Sequence, residues 1–160
     1  MKPPLRVLMM ISSPTDYPSL DVSRESAKMT EALASLENRG LVIVERQEEA
    51  TLSELQRRLR QGQYHIFHFI GHGGFDSQAD DGILVLEDAE GRGRRVSAQF
   101  LGTLLHDHRP LRLAVLNACE GARSSRLDPF AGTAQSLVQQ GIVIYASNDE
   151  SAPPQLVACH

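Results

Sequence analysis

Two short stretches carry residue types that can do chemistry together. "HIFHFIGHGGFD" (65–76) holds His65, His68 and His72 and ends in glycines, and "NACEG" (117–121) places Cys119 forty-seven positions after His72. A thiol becomes a strong nucleophile when a neighbouring imidazole favours the thiolate, and the same ring can then protonate a leaving amine. The tetrahedral intermediate of such a reaction needs N–H donors aimed at its oxyanion, and backbone at a glycine turn supplies them. His72 and Cys119 are therefore the candidate catalytic pair, with the backbone N–H groups of Gly73 and Cys119 as oxyanion donors. Asp16 and Glu120 are candidate substrate-binding carboxylates for a basic group. Asp16 before Tyr17-Pro18 also reads as a turn former, and Glu120 as a solvent-facing side chain.

Each residue also has a plainer reading. His65 and His68 lie in an apolar run and read as core or edge histidines, His68 as packing or support for the site. Cys119 could be an inert buried thiol. His68, His72 and Cys119 are types that bind zinc, but a glycine turn at 71 would break their strand parity and spacing places no fourth ligand. "GHGG" lacks the following helix N-terminus that a phosphate cradle needs. Cys159 and His160 lie in a proline-led tail and are given no catalytic part.

The chemistry needs a scaffold that brings the two stretches together. At 160 residues and 41% hydrophobic, the chain suits one domain with one core. A net charge of −4 argues against nucleic acid as a direct partner, and the clusters Arg57, Arg58, Arg60 and Arg92, Arg94, Arg95 read as solvated faces. Two cysteines do not make a secreted disulfide framework, and the N-terminal apolar run is too short to span a bilayer. The expectation is a soluble cytoplasmic protein that needs no metal or organic cofactor.

Apolar strands are expected at 5–11, 41–45, 64–70, 111–118 and 142–146, with a hairpin formed by "GILVLED" and "RRVSA". Helices fall between them. One carries Val22, Met29, Leu33 and Leu36 and stops at Gly40. One opens with the capping box Thr51 and Glu54, one with Ser97, and one with Asp128-Pro129 before Phe130, Ala134, Leu137 and Val138. Alternation of this kind predicts an α/β fold, a mostly parallel sheet with helices on both faces. In such sheets ligands gather beyond the carboxyl ends of the strands. His72 and Cys119 follow the third and fourth long strands, so the pair meets if those strands are neighbours.

The chain resembles the CHAT domain, a bacterial caspase-like, separase-related module often attached to tetratricopeptide (TPR) repeats. The likeness rests on "HFIGHG" (68–73), "LVLED" (84–88), "LNACEGA" (116–122) and "DPFAGTAQSLVQQGI" (128–142). It implies a caspase-like three-layer fold and a cysteine endopeptidase dyad at His72 and Cys119. It also implies a protein or peptide substrate, with TPR or other regulatory domains as partners. The family usually continues after Gly141 with a further strand and helices. The expectation is a CHAT domain over 1–146 lacking that C-terminal part, then a polar tail over 147–160. A catalytically inactive interaction module is the alternative function, and a domain binding a small ligand at the rim is a third.

Overall fold

The computed structural model describes residues 2–118, 130–147 and 155–157. Along the chain run β1 (Leu5–Ile11), α1 (Val22–Asn38), β2 (Val42–Gln47), α2 (Leu52–Gln61), β3 (Ile66–Asp76), β4 (Asp81–Glu87), β5 (Gly93–Ser97), α3 (Ala98–Asp107), β6 (Leu113–Ala118), α4 (Ala131–Gln139), β7 (Val143–Ser147) and β8 (Gln155–Val157). The main sheet has the order β2-β1-β3-β6-β7-β8. Its pairs are parallel except β7 with β8. The alternation of apolar strands and helices thus yields the expected α/β sheet.

The central strands are buried because both of their faces are covered. One face, through Leu8, Met10, Phe67, Phe69, Ala114, Leu116 and Ile144, joins a core completed by α2, α3 and α4. Leu52, Leu55 and Leu59 bury one stripe of α2, and Leu101 and Leu105 do the same for α3. Phe130 meets Phe69 edge-to-face, with ring centroids 6.2 Å apart. The other face carries Met9, Ile11, Leu20 and Ile70, packed against Val22 and Met29. There α1 lies over the edge pair β1 and β2, and none of its residues is fully buried. The expected apolar stripe is present but faces only a narrow strip of sheet.

Helix ends follow their capping residues. Ser97 Oγ accepts from the Phe100 N–H at 3.2 Å, and Gly40 takes the left-handed conformation at φ +69° after α1. Thr51 accepts from the Glu54 N–H at 3.2 Å, but the Glu54 carboxylate turns to Arg57 and Arg58. The capping box is therefore half used, because two guanidiniums one turn along offer a charged partner. Asp128 and Pro129 lie outside the described residues; α4 begins at Ala131, and Phe130 at its N-cap makes no side-chain capping bond.

The glycines do not end the third strand. β3 runs through them to Asp76, pairing with β6 as far as Gly71↔Ala118 and with β4 from His72↔Val85 onward. Glycine is tolerated here because each part of the strand has a partner, and at Gly71 it is required. A Cβ on Gly71 would lie 2.9 Å from the Phe69 ring and 3.1 Å from the Ser12 carbonyl oxygen. The expected hairpin is β4 and β5, paired from Ile83↔Ser97 to Glu87↔Gly93. Within the expected polar tail, Gln155–Val157 adds an antiparallel edge strand to β7.

Candidate active site

β3 and β6 are parallel neighbours, and the last residues they pair are Gly71 and Ala118. His72 and Cys119 are the residues that follow each of these in sequence. Neighbouring strands lie about 4.8 Å apart, so both chains pass the rim side by side. Cys119 and Glu120 themselves lie outside the described residues, as does Cys159.

His72 is buried, at 6% exposure, beneath the segment that follows β1. Its Nε2 lies 2.9 Å from the carbonyl oxygen of Pro18. A carbonyl oxygen can only accept, so Nε2 carries a proton and Nδ1 is the ring nitrogen left to take up or give one. The ring also packs against Tyr17, with centroids 5.4 Å apart and planes tilted by 41°. The covering segment is clamped in turn. The Thr15 N–H donates to the Gly91 carbonyl at 2.9 Å, and the Gly93 N–H donates to Asp16 Oδ1 at 2.7 Å. Asp16 therefore ties the segment after β1 to the β4–β5 hairpin. Neither Tyr17 nor the Pro18 carbonyl was picked out by residue type, since the stretch reads only as breakers.

The oxyanion candidate Gly73 sits half-buried in β3 opposite Leu84. The Ser12 N–H donates to the Ile70 carbonyl at 2.9 Å, which fixes the residues of β3 whose peptide groups face β1. Peptide groups alternate sides along a strand, so the N–H of Gly73 is directed to the other edge, the side on which β6 runs. On that side the β6 ladder stops at Gly71.

The remaining histidines fall into two classes. His65 precedes β3 at the opposite end of the sheet, where its Nδ1 accepts from the Arg6 N–H at 3.0 Å. It holds strands together and lies away from the rim. His68 is 5% exposed, and its Nε2 lies 3.0 Å from Nδ2 of Asn117. Burial pushes its pKa down to about 4, so it stays neutral at neutral pH. Of the arginine clusters, Arg57 and Arg58 pair with Glu54, and Arg58 also with Glu45. Among the described residues no group of three His, Cys, Asp or Glu is placed to hold a metal ion, and no helix is long and apolar enough to cross a membrane.

The family model of the CHAT domain matches residues 6–147. The chain belongs to the CHAT domain family. Its α/β architecture, with a mostly parallel sheet, agrees with the caspase-like fold that membership implies. No curated protein matches the chain.

Proposed function

We propose that this CHAT domain is a caspase-like cysteine endopeptidase that cleaves peptide bonds through His72 and Cys119, as a regulated module of a larger system that includes TPR or other protein domains. One observation carries the reading: the register of β3 with β6, which delivers the residues before His72 and Cys119 to adjacent positions on one rim. In the reaction, the Cys119 thiolate attacks the scissile carbonyl carbon. His72 Nδ1 takes the thiol proton and returns it to the leaving amine as the C–N bond breaks. Water then attacks the thioester, its proton passing to His72, and free Cys119 is restored. The Pro18 carbonyl favours this cycle because it fixes the ring's tautomer and stabilises the imidazolium formed midway. The N–H groups of Gly73 and Cys119 hold the oxyanion. Asp16 and Glu120 are the carboxylates offered to a basic substrate side chain, and Asp16 has its clamping role besides.

A peptide bearing a thiol-directed electrophile tests the reading. Cys119 should be labelled faster than Cys159 at neutral pH. Cys119→Ala should abolish labelling at that position, and His72→Ala should slow it by roughly 100-fold or more. Equal labelling of the two cysteines would sink the peptidase reading and leave the domain as an interaction module.

A further inference from the structure

The peptidase reading leaves the pairing of His68 with Asn117 without a purpose. His68 stands four residues before His72 in β3, and Asn117 two residues before Cys119 in β6. The residue across from His68 is Met9 on β1 and Val115 on β6; neither is charged. Asn117 Nδ2 lies 3.0 Å from His68 Nε2. A carboxamide nitrogen can only donate, so Nε2 accepts and the neutral ring carries its proton on Nδ1. This is the opposite tautomer from His72. Ring tautomer and amide orientation are thus coupled: an amide turned over would accept through Oδ1 from an Nε2–H instead.

The orientation with Nδ2 toward His68 leaves Asn117 Oδ1 buried, with no hydrogen-bond partner among the described residues. Native interiors rarely leave a buried polar atom open, and a pair that served packing alone could be replaced by apolar side chains without that loss. The open oxygen lies on Asn117, the last residue but one of β6 and two positions before the proposed nucleophile in sequence.

We propose that His68 is a positioning residue: its Nε2 holds the Asn117 carboxamide in one orientation and thereby fixes the end of β6 from which Cys119 follows. This rests on the peptidase reading. In this role His68 acts through Asn117 and not on the reacting atoms. The proton of the reaction stays with His72, and no bond to His68 is made or broken.

The experiment measures inactivation of Cys119 by an electrophilic peptide over a range of concentrations. His68→Phe keeps an aromatic ring but removes the acceptor, whereas His68→Gln offers an acceptor at similar reach. His68→Phe should lower the maximal labelling rate by roughly 10- to 100-fold at an unchanged half-saturating concentration. His68→Gln should recover the rate to within about threefold of the wild type. If His68→Phe does not fold, Asn117→Ala carries the same arm. A second readout is independent of reactivity: the nitrogen NMR spectrum of the histidine rings should show His68 as the Nδ1–H tautomer. Selective wild-type labelling that survives unchanged in the folded His68→Phe chain would overturn the positioning role alone, as would an Nε2–H tautomer at His68. Wild-type labelling without preference for Cys119 would overturn the peptidase reading and this role with it, while the tautomer still reports whether the pair forms.

Discussion

Pro18 has a single hydrogen-bonding group, its carbonyl, and His72 uses it. One bond thus sets which nitrogen of His72 can accept a proton, while four residues earlier His68 is held in the other tautomer by Asn117. Two histidines of one strand thus use Nε2 differently, one donating and one accepting, a difference set by their neighbours rather than by residue type. Gly71 matters at the same scale. It is where β3 passes from the β6 ladder to the β4 ladder, and its missing side chain admits the Ser12 carbonyl. Gly71→Ala should cost about 1–3 kcal/mol of stability in chemical denaturation, because Phe69 and the Ser12 backbone must both give way. In the proposed enzyme the same substitution should slow Cys119 labelling.

Among the elements, the segment from Ser13 to Leu20 is the part that serves His72 without belonging to a strand or helix. Its conformation comes from the β4–β5 hairpin, through the Thr15–Gly91 and Gly93–Asp16 bonds. Tyr17 completes the fit: a side chain on Gly93 would run into its ring. Asp16→Ala should therefore release the segment and slow Cys119 labelling about 10-fold, in line with the cost of lost orientation. Electrophilic peptides with arginine and with leucine at the position before the scissile bond should slow alike when the effect is the clamp. An added loss confined to the arginine peptide marks Asp16 as a substrate contact as well.

For the molecule as a whole, acid is the informative stress. His68 ordinarily titrates near 6.5, but in the fold its pKa is held down to about 4 by burial. Between those values the unfolded chain binds more protons than the folded one, so stability rises with pH across the window and is complete above 6.5. Acidification from pH 6.5 to 4 should remove about 3 kcal/mol through this one group, and the loss should vanish in His68→Phe. Glu45 adds a loss at lower pH. The Tyr64 hydroxyl, 2.5 Å away, and the Arg6 and Arg58 guanidiniums hold its carboxyl below the ordinary value. That contribution disappears as pH falls through its folded pKa. Glu87 works the other way, because burial raises its pKa and the fold favours its neutral form. Denaturation curves at a series of pH values, for wild type and His68→Phe, check the balance.

Much of this was legible along the chain. Apolar runs such as "LRVLMMI" marked buried strands, Thr51 and Ser97 marked helix starts, and "GHG" with "NACEG" marked the candidate pair, because propensity, capping and nucleophile chemistry depend on residue type and short spacing. The sequence by itself determined those elements and those candidates. Only the tertiary structure decided that β3 and β6 are neighbours in a register that ends at Gly71 and Ala118. It also decided that the glycines continue a strand, since a partner strand, not residue type, settles whether glycine turns or extends. The Pro18 carbonyl and the His68–Asn117 bond were hidden for a related reason. A backbone carbonyl looks the same at every residue, and a hydrogen bond between distant positions exists only once the sheet has set them side by side.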